Sequence, residues 1–207
     1  MLALDHIVIA THNPKEAARQ FSQNHHVKIV AGGEHGSWGT YNYLAYFAND
    51  CYIEWLGVVN KEVAAQAKNP LIIQLVHSLE TSQEGPIQFA LRTNELAYFA
   101  DYYLQASIQV TEPIPGNRKK PNGSSLSWNM LFPHADDSVP FLIEWKEGIN
   151  LPDNPHSINP QTITEITSHL PVSTISVLYQ VPAKKNIRLQ NTQLQLESEK
   201  GLSFTIN

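Results

Sequence analysis

Two apolar strands, each interrupted by a single carboxylate, constrain this chain more than any other feature. The first is Cys51-Tyr52-Ile53-Glu54-Trp55-Leu56-Gly57 and the second is Phe141-Leu142-Ile143-Glu144-Trp145, so the tripeptide Ile-Glu-Trp occurs twice. A carboxylate with apolar neighbours on both faces of a short strand is placed for burial, and a buried Glu has to be paired, protonated or bound to a metal ion. The pattern around each strand repeats as well. Residues 2–10 read as a strand, with Leu4, His6 and Val8 on one face and Asp5, Ile7 and Ile9 on the other. Asn13-Pro14-Lys15-Glu16 then supplies an N-cap, a proline at the first helical position and an acid in the first turn of a helix that ends near Asn24. A short strand at 27–30, closed by Gly32-Gly33, precedes two alternating strands at 40–47 and 50–56 that turn at Asn49-Asp50.

After a connecting helix over 62–79, with Leu71, Leu75 and Leu79 at four-residue spacing, the order restarts. A strand at 86–93 leads into a helix capped by Asn94-Glu95 and ending near Gln105. A short strand at 108–110, a Pro/Gly/Lys-rich loop at 113–123 and strands at 124–132 and 139–145 follow. His6 and Gln88 fall mid-strand at matching places, and Asn42-Tyr43-Leu44 precedes Glu54 much as Asn129-Met130-Leu131 precedes Glu144. A repeat of this size signals a duplicated supersecondary unit. The chain therefore predicts an α+β fold of two paired βαβββ modules, residues 1–80 (with the connector helix) and 81–150. A Pro/Asn-rich linker at 151–160 opens a partial third βαββ unit over 151–207. There a strand at 162–167, a helix at 172–179 and a hairpin of 193–197 with 202–206 about Glu199-Lys200-Gly201 are expected.

Composition narrows the class. A net charge of −5 weighs against nucleic acid, which asks for a basic face, and 42% hydrophobic with 16% charged residues fits a globular domain. One cysteine excludes an intrachain disulfide framework and suits a reducing compartment. Asp5 and His6 interrupt the only early apolar run, which argues against a signal peptide, and no run approaches the roughly 20 apolar residues of a membrane helix. The expectation is a cytoplasmic protein with a small-molecule substrate or ligand, without nucleic-acid or membrane partners, and compatible with a homodimer.

If the two units pair about a pseudo-two-fold axis, His6, Glu54, Gln88 and Glu144 converge. One imidazole, two carboxylates and one amide oxygen suit a divalent ion such as Ni, Zn, Mn, Fe or Mg. The absence of cysteine from the set argues against a closed structural zinc site. Taken singly, Glu54 is as readily a paired structural carboxylate, His6 a hydrogen-bonded core histidine and Gln88 a strand amide. His35, Trp38, Thr40 and Asn42 follow the Gly-Gly turn, where a loop can fold over a cleft. Arg118, with Lys119 and Lys120, can attract an anionic substrate.

Leu4-Asp5-His6-Ile7-Val8-Ile9 and Tyr52-Ile53-Glu54, with their second-half counterparts, resemble the vicinal oxygen chelate superfamily. Within it, Gly32-Gly33-Glu34-His35-Gly36-Ser37-Trp38-Gly39-Thr40-Tyr41-Asn42-Tyr43-Leu44 is similar to the glyoxalase-like branch. Arg118-Lys119-Lys120-Pro121-Asn122-Gly123 and Trp128 match that branch's Arg-x-x-Pro-(Asp/Asn)-Gly loop and the Trp-bearing strand after it, which adds Trp128 to the substrate-binding set. The resemblance covers about residues 1–150. It implies a metal held in a cleft by His6, Glu54, Gln88 and Glu144. It also implies isomerase, lyase or epimerase chemistry on a small oxygenated substrate, the metal polarising the substrate, Glu144 acting as base and Glu54 as its pseudo-symmetric partner. Gln88 departs from the two-histidine, one-carboxylate set of the ring-cleaving dioxygenases and disfavours that reaction. The alternative is a metal-free protein of the same fold that binds or sequesters a small ligand.

Overall fold

The computed structural model describes residues 1–119, 123, 125–133, 138–146 and 148–207, with the backbone alone for Lys119. The first half contains β1 (Ala3–Ala10), α1 (Pro14–His25), β2 (Val30–His35), β3 (Thr40–Phe47) and β4 (Cys51–Val58). Two connecting helices follow, α2 (Lys61–Ala65) and α3 (Pro70–Glu80), where one continuous helix was expected. The break falls at Asn69-Pro70: the Asn69 side chain accepts from the Leu71 amide, and the proline occupies the first turn of a new helix, where its missing N–H costs nothing. The second half contains β5 (Gly85–Arg92), α4 (Leu96–Gln105), β6 (Ile114–Lys119), β7 (Ser125–Leu131) and β8 (Phe141–Trp145).

The strands run β2-β3-β4-β1-β5-β8-β7-β6, which is two βαβββ modules joined through the antiparallel pair β1–β5. Within each module the first strand pairs in parallel with the last, β1 with β4 and β5 with β8. The sheet curls until its two edges meet, and Arg118 Nη1 on β6 donates to the Gly32 carbonyl of β2 at 2.8 Å. Two expected loops are thus strands. β2 runs through Gly32-Gly33, with a register irregularity between Ala31 and Gly33, and β6 occupies the start of the Pro/Gly/Lys-rich segment. The expected strand at 108–110 is reduced to a single bridge between Val110 and Pro133. Lys120, Pro121 and Asn122 of the loop motif lie outside the described residues.

The C-terminal unit adds β9 (Ile158–Asn159), which extends the main sheet beside β3, and then β10 (Ile163–Ser168), α5 (Val172–Tyr179), β11 (Asn186–Arg188), β12 (Gln193–Leu196) and β13 (Ser203–Ile206). The last two strands do not form the expected hairpin. Their small sheet runs β11-β12-β10-β13, so β10 lies between them, parallel to β12 and antiparallel to β13. This unit packs on the outer face of the main sheet, where Leu4, Ile7, Phe89 and Leu142 share a core with Phe99 and Tyr103 of α4 and with Ile163, Ile166 and Leu194. The Asn191 side chain exchanges both amide hydrogen bonds with the Leu4 backbone, at 2.8 and 2.9 Å, and so acts as a one-residue strand partner for the start of β1. The inner face has its own core, in which α3 lays Leu71, Ile72 and Leu75 against Val8, Leu56, Met130, Phe141 and Ile143.

Candidate functional site

The curled sheet and α3 line a cavity of about 40 Å³. Its polar lining is His6 (β1), His35 (β2), Asn42 (β3), Glu54 (β4), Arg118 (β6) and Asn150; Trp38, Tyr52, Trp128, Phe141 and Trp145 supply aromatic walls, and Leu71 and Ile72 of α3 form the cover.

The phase of the strands decides which residues reach this space. On β4, Tyr52, Glu54 and Leu56 face the cavity, and Ile53 and Trp55 face the outer core. On β8 the inward residues are Phe141, Ile143 and Trp145, which leaves Glu144 on the opposite face. There Glu144 Oε1 accepts from the Leu96 amide at 3.3 Å and caps α4, whose own N-cap residue, Glu95, makes no side-chain cap bond. The repeated Ile-Glu-Trp is therefore one residue out of phase between the halves, and a one-residue slip exchanges the faces of every side chain in a strand. Asn129, paired with Glu144 on β7, turns outward likewise, whereas Asn42 turns in. Gln88 is buried with its amide committed to backbone: Nε2 donates to the Val139 carbonyl at 3.0 Å, and Oε1 accepts from the Phe89 amide at 2.9 Å. The expected convergence of His6, Glu54, Gln88 and Glu144 does not form. Of the four, His6 and Glu54 meet.

β1 carries an irregularity against β5 between Leu4 and His6, so Asp5 is the extra residue of a bulge, and Leu4 joins Ile7 in the outer core instead of sharing the face of His6. The bulge turns Asp5 beside His6. Its carboxylate is 0% exposed, and it takes His6 Nδ1 at 2.7 Å, Trp145 Nε1 at 2.8 Å and Arg92 Nη1 at 3.3 Å. Burial alone would push this carboxyl up, but the His6 hydrogen bond, the His6 and Arg92 charges and the Trp145 N–H together hold it below its ordinary value. An ionised Asp5 can only accept, so His6 Nδ1 is the donor. His6 Nε2 is thereby aimed at Glu54 Oε2, 3.5 Å away. Glu54 is 7% exposed, and its other oxygen accepts a hydrogen bond from Asn42 Nδ2. Tyr52 stacks on the His6 ring at 4.7 Å between centroids, and burial raises its hydroxyl well above the usual phenol range.

Asn42 owes its position to Gly32. A Cβ at Gly32 would fall 2.0 Å from Asn42 Oδ1, which is buried and has no hydrogen-bond partner among the described residues. Gly32→Ala is expected to push Asn42 off Glu54, lowering stability by about 1–3 kcal/mol, the usual cost of overpacking, and activity by tenfold or more. Thermal unfolding beside a turnover assay reads both.

The expected substrate-binding residues His35, Trp38, Asn42, Arg118 and Trp128 all line the cavity. Thr40 stands one layer back, with Oγ1 3.0 Å from His35 Nδ1. Burial lowers the pKa of His35 from its ordinary 6.5, with Glu54 opposing and Arg118 adding to the fall. The unfolded chain then takes up this proton first as pH falls, so the contribution of His35 to stability is complete above about pH 6.5 and is lost below it. The melting temperature is expected to decline between pH 7 and 5, and His35→Gln to flatten that slope. Asp5, Tyr52, Trp145 and Asn150 were not singled out by sequence reasoning. Tyr52 was findable from alternation with Glu54; Asn150 lies at the end of the second module, just before the linker, where no pattern marks it.

The donor set bears on a divalent ion. His6 Nε2 and Glu54 Oε2 are an imidazole–carboxylate pair, with Asp5 behind the histidine as an outer carboxylate stands behind many metal-bound histidines. Open catalytic centres use three protein ligands, and the second half offers Ile143, Met130 and Trp145 where the others would stand. Among the described residues no group of three or more His, Cys, Asp or Glu side chains is placed to hold an ion. The residues present do not fit the four-ligand centre.

Paired βαβββ modules curled around a cavity place the protein in the vicinal oxygen chelate class of folds. More narrowly, the chain belongs to the glyoxalase-like domain family, whose model matches residues 4–173. Solved structures it resembles include a hypothetical protein from Staphylococcus aureus, with a TM-score of 0.77 at 20% identity over 99% of this chain and 89% of that one. A hypothetical protein from Bacillus halodurans C-125 follows at 0.54 and 18%, covering 72% of this chain and 99% of that one. Streptomyces coelicolor methylmalonyl-CoA epimerase, in complex with 2-nitronate-propionyl-CoA, stands at 0.50 and 17%, covering 72% and 98%. At these identities the likeness is one of fold. A search of curated proteins found no match. No helix among the described residues is long and apolar enough to cross a membrane.

Proposed function

We propose that the protein is an enzyme that moves a proton beside the carbonyl of a small oxygenated molecule, chemistry of the isomerase, lyase or epimerase kind, with Glu54 as the base. The observation that carries this reading is the Asp5–His6–Glu54 array. One buried carboxylate is held at one oxygen by Asn42 and faces the cavity beside an imidazole that a second, fully paired carboxylate has oriented. Glu54 takes the proton from the carbon next to the carbonyl; the C–H electron pair becomes a carbon–carbon double bond and the carbonyl π pair moves to the oxygen, which gives an enolate. Return of the proton to the same or a neighbouring carbon closes the reaction. His6 is positioned to stabilise Glu54 as it gains and loses charge. Enzymes that share the fold include methylmalonyl-CoA epimerases, whose name denotes a reaction of this type, and that supports the class without naming a substrate.

The test is proton exchange in D2O followed by NMR, with small 2-oxo and 2-hydroxy compounds as probes. The expected result is exchange at the carbon beside the carbonyl that disappears in Glu54→Gln. Exchange at an equal rate in that variant would remove Glu54 from the role. A second reading, a protein that sequesters a ligand without changing it, draws on the aromatic walls Trp38, Trp128 and Trp145. It predicts tight binding with no exchange at all.

A further inference from the structure

We propose that Arg118 anchors a carboxylate group, so that the molecule this cavity takes is a small carboxylate anion. The inference rests on the reading of the Glu54 cavity as the reacting site and specifies what enters it.

Arg118 is 9% exposed, and a guanidinium that deep in a protein needs an anion near it. Its contacts are neutral. Nη1 donates to the Gly32 carbonyl at 2.8 Å and Nη2 to Asn150 Oδ1 at 3.2 Å; among the described residues no carboxylate makes an ion pair with it. Arg92, by contrast, is paired with Asp5 at 3.3 Å. The guanidinium is also built in rather than draped over the surface. Asn150 Oδ1, which receives Nη2, is fixed from its other side by the Tyr46 hydroxyl at 3.1 Å, and the Gly32 contact locks β6 to β2. A planar guanidinium fork is the group that binds a carboxylate through two parallel hydrogen bonds.

Arg118 borders two spaces, and the reading of Glu54 as the base selects the inner one. The outer space, about 190 Å³, is lined by Gly32, Tyr46, Leu151, Asp153 and Asn154. The inner cavity has Arg118 and Glu54 in its wall, with Asp5 behind His6 and already held by three donors. A carboxylate on Arg118 would therefore lie in the inner cavity with its charge on the β6 side, and its carbon chain would extend toward Glu54 on β4. Opposite charges in one cavity fix the direction of a molecule that has an acid at one end and an acidic C–H at the other.

The test compares pyruvate, 2-oxobutanoate and malonate with their uncharged amides, by calorimetry and thermal shift, on wild type, Arg118→Gln and Arg118→Lys, with sulfate at equal ionic strength as the general-anion control. At least one carboxylate is expected to bind wild type tenfold or more tightly than its amide and than sulfate. Arg118→Gln should abolish that preference, and Arg118→Lys should keep part of it. Equal binding of acid and amide, sulfate binding as well as the acids, no binding by any of the acids, or an unchanged preference in Arg118→Gln would each overturn the proposal. If Arg118→Gln does not fold, as judged by circular dichroism, the acid-to-amide ratio of the wild type decides alone. Glu54→Gln separates this proposal from the one it rests on. Loss of carboxylate preference with exchange still dependent on Glu54 sinks the anchor, whereas carboxylate binding with exchange indifferent to Glu54 sinks the base.

Discussion

Glu54→Gln is expected to slow proton exchange by about two to four orders of magnitude, the usual contribution of a positioned general base, while the protein stays folded. The amide oxygen that replaces Oε1 can still accept the Asn42 hydrogen bond, so the strand keeps its partner. What disappears is the acceptor for a substrate proton next to His6 Nε2. NMR exchange rates with a thermal melt as control check this, and a variant that loses activity only in proportion to lost stability would speak against a direct role.

Asp5→Ala is expected to cost about 3–5 kcal/mol, on the order of 10 °C in melting temperature, because it leaves the His6 and Trp145 N–H groups and the Arg92 cation without their shared buried acceptor. The same residue gives a pH signature. The carboxyl lies below its ordinary value of 3.8 in the folded state, so its stabilisation is complete above about pH 3.8 and is lost as pH falls through the lower folded value. Acid unfolding of the wild type should therefore contain a steep phase below pH 3.8 that the variant lacks. Calorimetry from pH 2 to 7 measures it. Activity should fall with stability, because the orientation of His6 toward Glu54 depends on Asp5.

Sequence made the architecture legible where local chemistry is strong. Asn13-Pro14 announces a helix start, and residues 172–179 form the helix their pattern predicts, whereas the start at Asn69-Pro70 was read through as part of one longer helix. Phase was not legible. β4 is buried on both faces, and β8 is apolar on both sides of Glu144, so neither has an inward-apolar, outward-polar alternation to orient its carboxylate, and matching Ile-Glu-Trp aligned residues that point in opposite directions. A bulge is equally silent: nothing in Leu4-Asp5-His6 says that Asp5 will turn to the side of His6. Arg118 was placed in a loop because proline, glycine and lysine surround it, yet β6 exists through pairing with β7, and the Arg118 side chain is buried where the sheet closes. The parallel β10–β12 pair was hidden for a related reason, since it joins residues that α5 and β11 separate along the chain.

The central claim is that the site belongs to the first half of the duplication, with Glu54 inside and Glu144 outside. Side-by-side exchange rates of Glu54→Gln and Glu144→Gln, on whichever small carbonyl compound the wild type turns over, test it most directly. The account predicts near-complete loss in the first. In the second, exchange should stay within about twofold of wild type, with only the roughly 0.3–1 kcal/mol of stability that a negative charge at the α4 N-terminus provides. Comparable losses of exchange in both variants, at unchanged stability, would contradict it and return Glu144 to the cavity.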